Sequence, residues 1–472
     1  MQEQLPLNLS VGARSRQSYT AGEIYAEGSG LRFLGFLACL GLLTLYITDG
    51  LWPQVQMVLT GGFTPITAVA KSTLFLLVPM SVVSTRTYRA TRLSGATLIL
   101  VGVVSIETIM FLATSRYFAA DIVNSLTGSY LPLILFGLVL SAPLAIKHRD
   151  LLWMGAAVFI ACICVTALQY ATDSSVLPTQ SRDGTFAIQS LLFYDRTRAF
   201  SLFTSGLQAG LFYCISAAVG TSLVLMRGKW LVGCLLVLLS ACGSYATLTR
   251  LTMIGLCASL TSVTILCNPR LAKLARVLPL VWTLIALLTV SIASQESRRS
   301  QSADISSTES LSQRQTSWHF YLNAYRSLDP SEMLFGSGMS EYAATDVPHR
   351  YRSAAPIPID NAFLQILLHG GLLLLGGVVF YYLQAWRLLY RKANEERSVF
   401  CLAAAAVFST TPILSMINDL PIPMFALFAI ATMIVRENPD IQCIRSRPVQ
   451  AGPLFAPVVA RPDEMVGAWE CD

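Results

Sequence analysis

The sequence predicts an all-α polytopic membrane protein with about twelve transmembrane helices. Three observations predict it. Apolar residues make up 54% of the chain and charged residues only 13%, against about 25% charged in an ordinary soluble domain. Apolar runs long enough to cross a hydrocarbon core of roughly 30 Å recur from residue 31 to residue 435. Basic residues cluster after every second run, as the positive-inside rule requires of cytoplasmic loops.

The runs centre on 31–48, 64–84, 95–114, 131–147, 151–170, 205–226, 230–248, 251–267, 278–294, 361–383, 398–416 and 420–435. The first follows a polar segment, 1–30, and lacks a small-residue cleavage site, so it reads as an uncleaved anchor rather than a removable signal peptide. Arg14 and Arg16 precede span one; Arg86, Arg89 and Arg92 follow span two; Lys147 and Arg149 follow span four; Arg227 and Lys229 follow span six. Arg270, Lys273 and Arg276 follow span eight, Arg387, Arg391, Lys392 and Arg397 follow span ten, and Arg436 opens the tail. Both termini are therefore expected in the cytoplasm. The net charge of +6 is a topology signal rather than a mark of nucleic-acid binding. Of the eleven cysteines none lies in an outer loop, so no disulfide framework is implied, and CxxC or His-rich metal spacings are absent. No metal and no cofactor are expected.

The chain divides into a cytoplasmic segment 1–30, spans one to nine over 31–294 with an outer loop at 171–204, a large outer loop at 295–360, spans ten to twelve over 361–435, and a proline-bearing tail 436–472 expected to be disordered. The large loop opens on "SQESRRSQSADISSTES" and then turns amphipathic at "LSQRQTSWHFYLNAYRSL". Leu311, Trp318, Tyr321, Leu322 and Tyr325 fall close to helical spacing, which predicts a helix lying on the bundle. No internal repeat is evident, which weighs against a secondary transporter.

Arginines on the outer face run against the positive-inside bias: Arg116, Arg182, Arg196, Arg198, Arg250, Arg298, Arg299, Arg314, Arg326, Arg350 and Arg352. Arginine suits phosphate because its planar fork makes bidentate, charge-assisted hydrogen bonds at any working pH. The ordinary alternative for each is contact with lipid headgroups. Arg250, in "YATLTRLTMIGL", sits at the tight outer turn between spans seven and eight, and Arg198, just before span six, is expected to reach the same region.

Lys71 and Glu107 lie within spans two and three, each roughly 10 Å below the outer surface by the helical rise, which predicts an ion pair with either a functional or a structural role. Span ten opens with "DNAFLQILLHGG". Asn361, Gln365 and His369 recur at i, i+4 and i+8, so they form one polar stripe that must face the bundle or a wet cavity. Asp360 is expected to cap that helix. Together the stripe, Lys71, Glu107 and Arg250 sketch an outward-facing polar cavity roofed by the large loop.

At the level of motifs, "RAFSLFTSGLQAG", "LTR" closing span seven, "SQRQTSWHFYLNAY", "MLFGSGMSEYA" and "DNAFLQILLHGG" occur in an order and placement that resemble the O-antigen polymerase and ligase superfamily, the Wzy/WaaL-like glycosyltransferases of bacterial envelopes. The resemblance in architecture covers nearly all of 31–435. It implies a GT-C-like helical fold in the bacterial inner membrane, with the 295–360 loop in the periplasm. It also implies a metal-independent, inverting transfer of a glycan from an undecaprenyl pyrophosphate carrier to a hydroxyl, with a chain-length regulator or co-polymerase as a further partner beside the lipid bilayer. By position, Arg198 and Arg250 would hold the leaving pyrophosphate, with Arg314 and Arg196 in support. Ligases of the superfamily have histidine then asparagine where this chain has Asp360 and Asn361, and "DN" is more like the polymerases.

Such a transfer needs charge neutralised on the leaving group and a proton removed from the incoming hydroxyl. Asp360 is the expected base, with His349, beside Arg350, and His319 in reserve. Trp318, Tyr321 and Tyr325 are placed to stack on sugars or to anchor at the interface. Two rivals stay open: a ligase attaching finished glycan to lipid A core or protein, and a lipid-linked oligosaccharide flippase.

Overall fold

A computed structural model describes residues 37–38, 41–42, 44–45, 47–48, 51–60, 69–71, 73–74, 77, 92–113, 130, 133–134, 146–176, 192–193, 196–203, 205–297, 309–336, 361–396, 398–415 and 435–436. These form helices and four two-residue strands joined by short irregular segments. In chain order the helices are α1 (Leu51–Thr60), α2 (Arg92–Ala113), α3 (His148–Thr172), α4 (Gly206–Arg227), α5 (Trp230–Ala246), α6 (Arg250–Cys267), α7 (Ala272–Arg276), α8 (Leu278–Ser297), α9 (Glu309–Arg326), α10 (Pro330–Phe335), α11 (Ala362–Glu396), α12 (Val399–Ser409) and α13 (Thr411–Ser415). The strands are β1 (Ile146–Lys147), parallel to β4 (Val435–Arg436), and β2 (Leu192–Phe193), antiparallel to β3 (Arg196–Thr197).

Helices α2, α3, α4, α5, α6, α8, α11 and α12 with α13 coincide with expected spans three and five to eleven. Among the described residues, 4 helices are long and apolar enough to cross a membrane, or up to 5 if the bent pair Pro269–Arg276 and Leu278–Leu288 is one span. The N-terminal segment, the large loop outside 309–336, span twelve and the tail past residue 436 lie wholly or mostly outside the described residues.

The bundle centres on α4, which packs against α5, α6 and α12. Ser205 caps its start by accepting from the Gln208 N–H at 3.3 Å, and Gly228 ends it in the left-handed conformation at φ 63°. Lipid tails are as apolar as leucine, so membrane helices hold together by close approach and by polar bonds rather than by escape from water. Both occur here. A Cβ on Gly220 would come within 2.8 Å of the Gly233 carbonyl, and one on Gly243 within 2.7 Å of the Tyr213 ring, so α4 and α5 approach as only glycine permits. Trp282 donates to Ser262 Oγ at 2.9 Å, Ser409 donates to the same oxygen at 3.1 Å, and the Tyr381 hydroxyl donates to the Leu133 carbonyl. Exposed side chains such as Leu231, Leu235, Leu238, Leu280 and Leu284 lie on the outside, where lipid covers them.

Candidate active site

The first group is a corner where the chain entering α4 meets the turn from α5 to α6. The Ala199 N–H donates to the Ala246 carbonyl at 3.2 Å. A Cβ on Gly206 would lie 3.2 Å from the Thr247 carbonyl and 3.6 Å from Arg198 Cβ. The backbones that carry Arg198 and Arg250 are therefore neighbours, as the sequence predicts. Arg198 is half-buried, and Arg250 is exposed at the first position of α6. Arg196 lies in β3, two residues upstream of Arg198.

Buried hydroxyls fix the turn itself. Ser244 Oγ donates to Thr252 Oγ1 at 3.0 Å, Thr252 Oγ1 donates to the Thr249 carbonyl at 2.7 Å, and Thr247 Oγ1 donates to the Ser244 carbonyl at 2.7 Å. A Cβ on Gly210 would sit 2.0 Å from Thr252 Cγ2, so α4 presses directly on this knot.

The end of α3 holds the other side of the corner. Gln169 Oε1 accepts from the Phe200 N–H at 3.0 Å and the Ser201 N–H at 2.8 Å, and Gln169 Nε2 donates to the Ser201 carbonyl at 3.2 Å. One turn on, Asp173 Oδ1 accepts from the Thr197 N–H at 2.7 Å, and Thr197 Oγ1 donates to the Asp173 carbonyl at 2.9 Å. Ser201 Oγ and the Tyr213 hydroxyl both donate to the Cys162 carbonyl, at 2.9 and 3.1 Å. Four non-glycine residues have positive φ among the described residues: Asp173, Val176, Ser201 and Leu248. Asp173, Ser201 and Leu248 sit in this corner and Val176 just beyond it. Such conformations are costly and persist where surrounding contacts over-determine them, which is common at functional sites.

The second group lies where the large loop meets α11. Helix α9 forms where the amphipathic pattern predicts it, and Tyr321 and Tyr325 are buried against Leu364 and Leu368, with Trp318, Leu322 and Met333 packed around them. Tyr325 donates its hydroxyl to the Met333 carbonyl at 2.6 Å, and burial raises its phenol above the ordinary value. His319 is exposed on α9 and Trp318 is half-buried; Arg314 lies on the same helix. Asn361 and His369 are buried and Gln365 half-buried, so the stripe faces inward as its spacing requires.

Two expectations are corrected here. The cap of α11 is Asn361, whose Oδ1 accepts from the Leu364 N–H at 3.1 Å, rather than Asp360. A carboxamide oxygen serves this role as well as a carboxylate does, and the helix starts one residue later than expected. Nor does Lys71 form a hydrogen-bonded ion pair with Glu107: Lys71 is half-buried, Glu107 is fully buried, and neither carboxylate oxygen of Glu107 has a hydrogen-bond partner. Glu107 instead meets a break in α11. Gly370 and Gly371 leave helical geometry, with Gly371 at φ 63°, and a Cβ on Gly370 would lie 2.5 Å from both Glu107 oxygens. The carboxylate thus faces the backbone of the break. On the same junction a Cβ on Gly371 would lie 2.3 Å from the Leu334 carbonyl, and one on Gly336 would lie 2.2 Å from the His369 carbonyl. The end of α10 is wedged into the break of α11.

The expected constellation therefore resolves into two groups on different helices: Arg198 and Arg250 on α3 to α6, and the stripe with Glu107 on α2 and α9 to α11. Asp360, His349 and Arg350 lie outside the described residues. Gln169 and Asp173, which hold the 197–201 segment by hydrogen bonds, were not singled out by the sequence.

Helices of spanning length and an inward polar stripe define a polytopic membrane protein. Residues 235–381 match the family model described as O-antigen ligase, which is consistent with the O-antigen polymerase and ligase superfamily over that stretch. The match runs from α5 into α11 and includes Arg250, Arg314, Trp318, His319, Asn361, Gln365 and His369; Arg196, Arg198 and Glu107 precede it. It supports a membrane enzyme of the O-antigen ligase and polymerase type. No curated protein matches the chain.

Proposed function

We propose that the protein is a polysaccharide polymerase of the bacterial inner membrane. It transfers a growing glycan en bloc from undecaprenyl pyrophosphate to the non-reducing-end hydroxyl of a lipid-linked repeat unit, at the periplasmic face. The bond from the anomeric carbon to the pyrophosphate oxygen breaks, and the electron pair leaves with the pyrophosphate. The acceptor oxygen attacks the opposite face of that carbon with inversion and loses its proton to a base. Arg198 and Arg250 neutralise the charge that builds on the leaving group, worth most where water is excluded. The observation that carries this reading is their convergence on one hydrogen-bonded, backbone-strained corner, with Arg250 inside the family match.

Asp360 is the base in this reading. Because Asn361 caps α11, the carboxylate of Asp360 is not needed as the cap. His349 and His319 are its reserves, and Arg196, Arg314, Arg350, Lys71, Gln365, His369 and Trp318 line the substrate path. The test is an assay of purified protein in detergent with a pyrophosphate-linked repeat unit, without added metal or nucleotide sugar, reading products on a gel. A ladder that vanishes with Arg250→Ala and falls sharply with Asp360→Ala supports the proposal. No ladder with the cognate unit overturns it.

A ligase would instead leave unattached full-length polymer in a deletion strain, whereas loss of a polymerase leaves single repeat units. A flippase draws support from one observation, the broken span with a buried carboxylate at its break, a device transporters use for substrates and ions. In that case repeat units would accumulate on the cytoplasmic side.

A further inference from the structure

We infer that Gln169, in the last turn of α3, and Asp173, just past its end, are positioning residues that present Arg198 to the anionic leaving group. This rests on the reading of Arg198 and Arg250 as a pyrophosphate site and adds to it two residues that lie outside the family match.

The argument is one of accounting. Arg198 sits in a segment without regular secondary structure, and such a segment has no ladder to fix its backbone. Here every neighbour on which its direction depends is bonded to a helix. Thr197 is held through both its N–H and its hydroxyl by Asp173. Ala199 is held by the last carbonyl of α5. Phe200 and Ser201 are held by one buried carboxamide that uses both its oxygen and its nitrogen. Gln169 lies in the last turn of α3 and Asp173 directly follows the helix, so the C-terminal end of α3 grips the chain on both sides of Arg198.

The grip is also strained. Asp173 at φ 49° and Ser201 at φ 55° occupy the left-handed region at the two ends of the clamp. A loop that merely connected α3 to α4 would relax out of it. Bulk charge cannot be the purpose of Asp173 either, because a carboxylate beside an anion site weakens binding of the anion. Its hydrogen bond to Thr197 opposes that penalty by fixing Arg198, and the two contributions have opposite signs.

That opposition makes the inference testable in the full-length protein purified in detergent, with inorganic pyrophosphate as the probe and the rise in melting temperature as the readout. Asp173→Asn keeps an oxygen for the Thr197 N–H and removes the charge; Asp173→Ala removes both. If the clamp positions Arg198, Asp173→Asn binds pyrophosphate at least as tightly as the parent. Asp173→Ala then binds about tenfold more weakly, the order of one charge-assisted hydrogen bond. If charge alone mattered, both variants would bind more tightly, and the inference would be wrong. Gln169→Leu should weaken binding as Asp173→Ala does. Should Gln169→Leu fail to fold, the exposed Asp173 pair decides alone. Asp173→Ala added to Arg198→Ala should cost nothing further, because residues acting through one group are not additive. If Arg198→Ala binds pyrophosphate normally, the pyrophosphate-site reading itself fails. If Arg198→Ala weakens binding but neither clamp variant does, only the clamp fails.

Discussion

The arginine corner and the break in α11 handle buried polarity in opposite ways. At the corner, the carboxamide of Gln169, the hydroxyls of Ser201, Thr247 and Thr252, and the strained backbone between them are joined by hydrogen bonds. At the break, Glu107 is buried against Gly370 with neither carboxylate oxygen hydrogen-bonded. A satisfied network in a low dielectric is rigid, whereas an unsatisfied polar group there is costly. The corner is thus a fixed platform, and the break is a place of stored cost, suited to a part that changes state.

The largest effect should come from filling the break. Gly371→Ala places a Cβ against the Leu334 carbonyl at a residue with φ 63°, where an L side chain is strained as well as crowded. We expect a loss of about 3 kcal/mol or more of stability, enough to deplete folded protein in the membrane. Gly376→Ala, five residues on, meets nothing within 4 Å and should fold normally. Equal yields of the two variants, read by fluorescence-detected size exclusion, would contradict the wedge.

Next in size is the corner. Arg250→Ala should lower the transfer rate roughly a hundredfold, about 2.7 kcal/mol, the usual cost of removing one preorganised donor to a developing anion. Because Arg250 is exposed, its melting temperature should not move. Lysine at 250 should restore only part of the rate, since a point charge lacks the bidentate fork. Full activity in Arg250→Lys would mean that charge alone is read there.

These effects also show what the sequence made legible. Runs of apolar residues place the helices because hydrophobic length is a local property. Arg198 and Arg250 stand out because each breaks a local rule, as does the Asn361, Gln365 and His369 stripe. Gln169 breaks none: in "VTALQYATDSS" it is one polar residue near a span end, and its partners lie 31 and 32 residues away. The break in α11 was equally hidden. "HGGLLLLGG" contains two glycine pairs, yet only Gly371 takes a positive φ, and neither Gly376 nor Gly377 does. What distinguishes them is tertiary: the wedge of α10 and the carboxylate of Glu107 press on the first pair, and no local pattern encodes either. The misplaced cap and the expected Lys71 pair are failures of the same kind.

A pair of isosteric changes sharpens the comparison. Glu107→Gln replaces a buried carboxyl group that has no hydrogen-bond partner with a carboxamide of the same shape and should change stability by no more than about 1 kcal/mol. Thr252→Val removes a hydroxyl at the centre of the knot at the α5 to α6 turn and should cost about 1 to 2 kcal/mol, leaving Ser244 and Thr247 short of a partner. Thermal unfolding in detergent reads both. Destabilisation by Glu107→Gln as large as that by Thr252→Val would show that the break holds its carboxylate by a contact of its own, and the contrast between the two regions would collapse.

The smallest effect falls on the cap of α11, and its value lies in separating two adjacent residues. Asn361 supplies the capping oxygen, so Asn361→Ala should cost about 1 kcal/mol, while Asn361→Asp should retain the bond and gain from the positive end of the helix. Asp360→Ala should leave stability unchanged, because the cap does not depend on it, yet depress transfer if its carboxylate takes the acceptor proton. Measured side by side, melting temperature should follow residue 361 and rate should follow residue 360. The reverse assignment would restore Asp360 to the cap and move the search for the base to His349 and His319. Loss of rate in both, with stability intact in both, would place the Asn361 carboxamide on the substrate as well as on the helix.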